Sequence, residues 1–209
     1  MKFLKALLAL LAALAALFFA IGLFLPQTAR VERSITTTAS PAVVFGLVNG
    51  FQYFNEWSPW AGLDPATRYT YSGPASGVGA RMEWRSEDPN VGNGSQEVVA
   101  VVPDRSVTST LDFGLGYATT ATITLLPEAA GTRVTWTLDT DFANSIVGRY
   151  FGLALDRMVG PDYERGLAQL KRVAEARLAG ASTSADNPAQ AVAAGSPSEQ
   201  DTPVPPSPQ

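Results

Sequence analysis

Runs in which apolar and polar residues alternate, separated by tight turns, occupy the chain from residue 68 to residue 140. The runs are Arg68–Ser72, Ala80–Ser86, Gly94–Val102, Ser106–Phe113, Tyr117–Leu126 and Thr132–Thr140. A period of two is the pattern of a β-strand with one buried face, and connections this short join antiparallel neighbours. A further β-branched run, Val31–Thr38, precedes two short helical segments. The sequence therefore predicts one antiparallel sheet of seven strands.

The apolar face of this sheet needs a cover, and residues 144–179 are the candidate. The first part of this segment is apolar at Val147, Tyr150, Phe151, Leu155 and Met158. Proline suits the first turn of a helix but not its interior, so the Gly160-Pro161 pair predicts an interruption with a second helix beginning at Pro161. A sheet that curves around a long C-terminal helix is an α+β arrangement of two layers.

The first residues of the chain form a different kind of segment. From Ala6 to Leu25 no residue carries a charge, and Lys2 and Lys5 precede the run. A helix of this length is about 30 Å long, which matches the hydrocarbon thickness of a bilayer. The run exceeds the roughly 7–15 apolar residues of a cleaved signal peptide, and Gln27 is a poor residue for a cleavage site. We expect a signal anchor within residues 1–29, with secretion after cleavage as the alternative.

The last residues, 180–209, are rich in alanine, serine and proline and contain no aromatic residue. Such a composition cannot bury enough apolar surface to offset chain entropy. The sequence predicts a disordered tail there, which leaves residues 30–179 as the folded domain.

Composition excludes several classes of function. The chain has no histidine and no cysteine, which removes Ser-His-Asp and Cys-His catalysis, His/Cys zinc sites and haem held by these residues. Two nearby carboxylates, Asp139 and Asp141, are too few to predict a metal site. The net charge of −4 and the lack of a basic stripe argue against nucleic-acid binding. We expect no metal, no cofactor and no recognisable catalytic constellation.

Four blocks of sequence together resemble a known superfamily. They are VERSITTTASPAVVFGLVNGFQYFNEWSPW, GPASGVGARMEWRS, GTRVTWTLDTDF and MVGPDYERGLAQLK. In this order, over about residues 30–178, they resemble the SRPBCC or START-like superfamily, in particular its bacterial polyketide cyclase/dehydrase and lipid-transport-like group. The resemblance implies the helix-grip fold, in which a seven-stranded antiparallel sheet and a long C-terminal helix enclose an apolar cavity. It implies no fixed catalytic motif.

A cavity between sheet and helix would be lined by inward-facing strand residues and by one face of the C-terminal helix. The same side chains would fill an ordinary packed core, and only the resemblance favours a cavity. The candidates for ligand binding on the strands and helix are Met82, Trp84, Glu97, Phe113, Tyr117, Trp136, Tyr150, Phe151, Leu155 and Met158. Gln96 and Glu97 are adjacent in one strand, so one of them must face inward.

Two tryptophans flank a Ser-Pro in FNEWSPW. We expect Trp57 to fold inward as a plug against the sheet and Trp60 to lie nearer the cavity rim. Trp60 would serve there as a gate or at a lipid interface, and the alternative is that both anchor the loop over the core.

These observations predict a membrane-anchored domain that binds a small hydrophobic or lipid-like molecule. Because Lys2 and Lys5 precede the span, the domain would lie outside the inner membrane of a bacterium, although Arg30 and Arg33 beyond the span weaken this orientation. The alternatives are a cyclase-type enzyme in which an acid such as Glu97 assists, and an envelope protein-interaction module with a packed interior.

Overall fold

Seven antiparallel strands form a single sheet in the order β1-β7-β6-β5-β4-β3-β2. A computed structural model describes residues 2–143 and 145–186. The strands are β1 (Thr28–Thr37), β2 (Arg68–Ser72), β3 (Arg81–Arg85), β4 (Asn93–Val102), β5 (Ser106–Asp112), β6 (Ala118–Glu128) and β7 (Gly131–Asp141). The predicted strands are confirmed, with small shifts at their ends. A register shift between Val98 and Ala100 in β4 marks a β-bulge, which bends the sheet.

Four helices accompany the sheet within residues 2–143 and 145–186. They are α1 (Lys2–Phe24), α2 (Pro41–Val48), α3 (Phe54–Trp57) and α4 (Ile146–Asp186). Helix α2 begins at Pro41 as predicted, although the extended Ser40 before it makes no side-chain capping bond. Helix α4 lies across the apolar face of the sheet and buries Leu155, Tyr163 and Leu167 against it. The architecture is the predicted α+β helix-grip.

The predicted interruption of the C-terminal helix at Gly160-Pro161 is wrong. Helix α4 continues through Pro161. Leu155 before the pair and Tyr163 and Leu167 after it are buried in the same core, which favours one continuous helix. The Arg33 guanidinium of β1 also bonds Asp156 at 2.8 Å and Glu164 at 2.7 Å, one on each side of the pair. A Cβ at Gly160 would lie 2.1 Å from that guanidinium, so the glycine lets the side chain pass. Tertiary packing thus offsets the local cost of the proline.

The end of α4 overlaps the segment predicted to be a disordered tail. The helix runs to Asp186, whereas the predicted tail begins at Gly180. The remainder of that tail, 187–209, lies outside the described residues.

Helix α1 packs by its last turns against the first turns of α4. The Tyr150 ring stacks on Phe18 with centroids 4.3 Å apart, and its hydroxyl donates to the Phe18 carbonyl at 2.8 Å. The Arg149 guanidinium donates to the carbonyls of Gly22 at 3.3 Å and Leu23 at 3.2 Å. Gly22 is the one buried residue of α1, and a Cβ there would lie 2.3 Å from Cγ2 of Ile146. Apart from Lys2 and Lys5, the rest of α1 is apolar, and it is mostly exposed.

Candidate functional site

A cavity of about 230 Å³ lies between the sheet, α4 and the loop that follows α3. Strands β2, β3, β4, β5 and β7 contribute to its wall, and so do α4 and the β3–β4 connection. Its lining residues are Phe54, Ser58, Trp60, Tyr69, Met82, Trp84, Asn90, Val91, Gln96, Leu111, Phe113, Leu138, Val159, Asp162 and Tyr163. The wall is predominantly apolar and aromatic, with a few polar groups, as in sites that bind small molecules.

Trp84 forms one side of the cavity in a position that Gly94 makes possible. The two residues are cross-strand partners in β3 and β4. A Cβ at Gly94 would lie 2.5 Å from Cζ2 of the indole and 2.8 Å from the Asp112 carbonyl oxygen. The indole therefore lies over the glycine, where it meets Phe113 edge to face at 5.8 Å. The lack of a side chain at Gly94 thus allows the Trp84 indole to form this part of the cavity wall.

Polar groups in the wall are held by neighbours rather than left free to move. The amide nitrogen of Gln96 donates a hydrogen bond to Ser109 Oγ at 2.6 Å, which orients the amide. The carbonyl oxygen of the same amide takes no part in this bond. The indole N–H of Trp60 donates to Asp162 Oδ2 at 3.2 Å, and Arg165 donates to the other carboxylate oxygen. A carboxylate has further lone pairs, so Asp162 can still accept a bond from a ligand.

Two tyrosines place phenol groups beside the apolar wall. Burial raises the pKa of Tyr163, whose ring stacks on Trp136 with centroids 3.8 Å apart. Burial also raises the pKa of Tyr69. Both phenols therefore stay neutral at physiological pH, where each can donate or accept one hydrogen bond.

Four of the residues predicted to bind a ligand line this cavity. They are Trp60, Met82, Trp84 and Phe113. They come from the loop after α3, from β3 and from the residue that follows β5, so the fold brings together residues that are distant in the sequence. Trp60 is partly exposed, and Met82 is fully buried.

Three predicted residues, Trp57, Trp136 and Leu155, are buried in the core outside the lining of this cavity. Trp57 is 2% exposed, meets Trp136 edge to face at 5.3 Å and donates its indole N–H to the Leu47 carbonyl. Trp57 thus occupies the inward position expected for it. The two tryptophans border a separate void of about 20 Å³. An inward-facing residue lines a cavity only where no side chain of the opposite element packs against it.

Four further predicted residues are not among the residues that line the cavity. Tyr117 packs edge to face on Phe142 at 5.1 Å, and its hydroxyl is 3.3 Å from Ser145 Oγ. Tyr150 contacts α1, as described above. Phe151 and Met158 are 40% and 54% exposed on α4. The cavity lies farther along α4, at Val159, Asp162 and Tyr163, than the helical pattern predicted.

Glu97 faces away from the cavity, and its neighbour Gln96 faces into it. The Glu97 carboxylate accepts a bond from Arg81 at 3.3 Å on the solvated face of the sheet. Alternation along β4 allows only one of the two side chains to face inward, and the cross-strand arginine shows which one stays outside.

Sequence reasoning missed several lining residues. Asp162 and Tyr163 directly follow Pro161, where a second helix was predicted to begin, and neither was predicted to bind a ligand. Asn90 and Val91 lie in a connection without periodicity, and Tyr69 lies in a strand whose other residues are exposed. The Trp60–Asp162 bond joins residues 102 positions apart, so no local pattern could have revealed it.

The paired aspartates are both engaged by groups of the protein. Asp139 accepts two bonds from Arg30, at 2.7 and 2.9 Å. Asp141 caps the backbone N–H of Ala143. Within residues 2–143 and 145–186 there is no group of three or more potential metal ligands.

An antiparallel sheet of seven strands that grips a long helix around an apolar cavity defines a helix-grip domain. The chain belongs to the family described as polyketide cyclase / dehydrase and lipid transport, which matches residues 28–175. This confirms the resemblance drawn from the sequence blocks. Helix α1 precedes the matched region.

Solved structures share this fold at low sequence identity. An uncharacterized protein from Rhizobium leguminosarum is 18% identical, with a TM-score of 0.50, over 71% of this chain and 95% of that one. A protein of unknown function from Staphylococcus aureus is 11% identical, with a TM-score of 0.54, over 72% and 96%. The di-domain ARO/CYC StfQ from the steffimycin biosynthetic pathway is 11% identical, with a TM-score of 0.56, over 73% of this chain and 53% of StfQ. No curated protein matches the chain.

Proposed function

We propose that the domain binds a small hydrophobic or amphipathic molecule, lipid-like in character, for transport or sensing at a membrane. The observation that carries the proposal is the apolar cavity with polar groups at a few defined points, Gln96, Asp162 and the two tyrosines. Burial of the ligand's apolar part would supply most of the affinity, and one or two hydrogen bonds would orient it. No covalent step is part of this proposal.

The volume of the cavity limits what it can enclose. An apolar cavity of about 150 Å³ holds benzene, and pockets for drug-sized ligands measure about 300–1,000 Å³. The present cavity, at about 230 Å³, lies between these sizes. A fused ring system or a short branched chain would fit inside. A longer lipid would place one end in the cavity and leave the remainder in the mouth.

We also propose that α1 is retained as a single membrane span. It is long and apolar enough to cross a bilayer, by length and composition alone. The small residues Thr28 and Ala29, next to the site where cleavage would be considered, belong to β1 and pair with Asp141 and Thr140. Cleavage after Ala29 would remove two paired residues from the sheet, together with two of the three carbonyls that Arg149 binds. The two N-terminal lysines favour a domain on the outer side of the inner membrane.

The alternative functions receive less support. The acid suggested for a cyclase-type mechanism, Glu97, is bound to Arg81 on the other face of the sheet. An interaction module with a packed interior would not need a cavity of this volume.

Mass spectrometry of co-purifying molecules tests the binding proposal. The full chain would be extracted directly into lipid nanodiscs, and its bound molecules would be compared with those of Val159→Trp, which fills the cavity wall. Val102→Trp is the matched control, because Val102 is 49% exposed at the far end of β4. We expect one recurrent apolar compound, near one per protein, that is lost only in Val159→Trp. Equal recovery from all three proteins would contradict the proposal.

The mass and membrane attachment of the protein test the anchor. We expect the purified chain to retain residues 1–29 and to stay in the membrane fraction after alkaline washing. A mature protein that begins near residue 30 and appears in the soluble fraction would show that the segment is a cleaved signal peptide.

A further inference from the structure

An exposed apolar surface joins α1 to the mouth of the cavity. On α4, Val147, Phe151 and Met158 follow one another at helical spacing and are 65%, 40% and 54% exposed. In the loop between β5 and β6, Phe113 and Leu115 are 44% and 63% exposed. These five residues, here called the entrance face, have no covering element in the part of the chain that the structure describes.

Helical geometry places the exposed stripe of α4 (Val147, Phe151 and Met158) between the residues of α4 that contact α1 and those that line the cavity. Tyr150 and Ile146, which contact α1, lie on one side of the stripe, and Val159 and Asp162, which line the cavity, lie on the other. The β5–β6 loop lies beside the same flank of α4, because Tyr117 reaches Ser145 at one end and Phe113 lines the cavity with Val159 at the other. The entrance face therefore runs as one surface from the α1 contact to Phe113, an exposed residue of the cavity wall.

Contacts between α1 and α4 determine how deep the entrance face would lie relative to the membrane span proposed for α1. Phe18 meets Tyr150, and Gly22 meets Ile146, so the first turns of α4 lie beside the last turns of α1. Six residues separate Phe18 from the end of α1 at Phe24, about 9 Å along the axis. If α1 crosses a bilayer, the first turns of α4 lie between the outer boundary of the hydrocarbon and a depth of about 9 Å.

The first turns of α4 have the composition that such a location requires. The segment Ile146–Leu155 reads IVGRYFGLAL and contains one charge, Arg149. That residue is 7% exposed, and its guanidinium donates to the carbonyls of Gly22, Leu23 and Ala143. The next charge, Asp156, is bound to Arg33. The one charge that this segment would carry into an apolar boundary is therefore hydrogen-bonded to carbonyl oxygens through its terminal nitrogens, while its buried Nε has no partner among the described residues.

We infer that the entrance face docks on the outer leaflet of the bilayer that α1 spans, so that the cavity opens directly onto lipid. This inference rests on the proposed membrane span. It names the bilayer as the occupant because the entrance face continues from α1, the element that would already be in the membrane. Helices with such a face lie roughly 5–10 Å into the boundary between headgroups and acyl chains. A ligand would then pass between leaflet and cavity without crossing water.

Fluorescence quenching by lipid-borne nitroxides tests the docking. Because the chain has no native cysteine, single cysteines can be labelled with an environment-sensitive dye at Val147→Cys and Leu115→Cys. Val102→Cys and Leu126→Cys are exposed controls at the opposite end of the strands, 49% and 54% accessible. Leu11→Cys, in the middle of α1, reports insertion of the span. The full chain would be reconstituted in vesicles of phosphatidylethanolamine and phosphatidylglycerol with nitroxides at a shallow or a deep position.

We expect shallow nitroxides to quench the labels at Val147 and Leu115 about twofold or more, consistent with a depth of roughly 5–10 Å. Deep nitroxides should quench the label at Leu11, and the two control labels should change little. Quenching at Leu11 with Val147 and Leu115 no different from the controls would overturn the docking but leave the anchor intact. No quenching at Leu11 would refute the anchor and the docking together. Self-quenching between labelled copies without quenching by lipid would show that a second copy covers the face, and would also overturn the docking.

Discussion

Two tryptophans only three positions apart have different environments in this domain. Trp57 ends α3 and is buried between Trp136 and the backbone of α2. Pro59 fixes the backbone between the two residues, and the indole of Trp60 then reaches Asp162 at the cavity rim. The first residue therefore stabilises the core, and the second shapes the mouth.

Phenylalanine at each position should separate these two roles. Trp57→Phe should lower the free energy of unfolding by about 1–3 kcal/mol, because it leaves a void and an unpaired Leu47 carbonyl. Trp60→Phe should cost less than about 1 kcal/mol, because Trp60 and its partner are partly exposed. Urea denaturation measures both values. Recovery of the co-purifying compound should fall for Trp60→Phe more than for Trp57→Phe, and the reverse order would contradict this assignment.

Alanine at Gly94 should disturb the cavity wall. The new Cβ would overlap the Trp84 indole and the Asp112 carbonyl, so we expect a loss of about 1–3 kcal/mol, as for overpacked cores. Gly46→Ala in α2 is the matched control, because a Cβ there meets nothing within 4 Å. That control should gain about 0.5–1 kcal/mol through helix propensity. Thermal or urea unfolding compares the two, and equal effects would show that Gly94 has no steric role.

Helix α4 combines three tasks along its length. Its first turns contact α1, its middle carries Val159 and Asp162 at the cavity, and its last part packs Leu167 and Leu170 in the core. Continuity through Pro161 keeps these parts in a fixed relation. A proline inside a helix costs about 3 kcal/mol, and the Arg33 bonds to Asp156 and Glu164 hold the two sides together.

Acidification should weaken this arrangement. The bond to Arg33 lowers the pKa of Asp156 below its ordinary value of 3.8, and the Thr38 backbone N–H lowers the pKa of Glu175 below 4.5. A carboxyl whose pKa is lower in the folded than in the unfolded state stabilises the fold above the unfolded value. That contribution is lost as the pH falls through the folded value. The free energy of unfolding should therefore decrease as the pH drops below the ordinary carboxyl range.

Arg33→Met should make this pH dependence shallower, because Asp156 would lose the group that lowers its pKa. Arg85→Met, at an exposed position on β3, should leave the dependence unchanged. Denaturation midpoints over an acidic pH series would measure both variants. Parallel curves for wild type and Arg33→Met would show that the pair contributes nothing.

At the scale of the whole molecule, α1 and the domain are joined by a small but specific contact. All four tryptophans lie outside α1, so their fluorescence reports unfolding of the domain alone. Arg149 couples the two parts, since two of its three carbonyl partners belong to α1 and the third is Ala143.

The effect of Arg149→Met should depend on the presence of α1. In the full chain we expect a loss of about 1.5–3 kcal/mol, typical of hydrogen bonds to a charged group. In a chain that begins at Gln27, the guanidinium is hydrated and its α1 partners are gone, so the cost should be less than about 1 kcal/mol. Urea denaturation in one mild detergent compares the four proteins. The same cost in both backgrounds would mean that Arg149 does not couple α1 to the domain.

Much of the fold follows from short-range patterns. Alternation between polar and apolar residues determined the strands and their inward faces, and the uncharged run from Ala6 to Leu25 determined a helix apolar on all sides. The absence of histidine and cysteine excludes whole classes of chemistry through composition alone. The strand and helix patterns are local because backbone geometry repeats every two or 3.6 residues, and a side chain's neighbours along the chain record that repeat.

The position of the cavity was decided only by tertiary structure. Trp84 and Trp136 both face inward, but Trp84 borders open space while Trp136 is covered by Tyr163. The two sides of Pro161 in α4 are bridged by Arg33, more than a hundred residues away from its partners. Periodicity tells which way a side chain points. Whether it packs against another side chain depends on the sizes of the residues that come together from different strands and helices. A local sequence pattern does not record those residues.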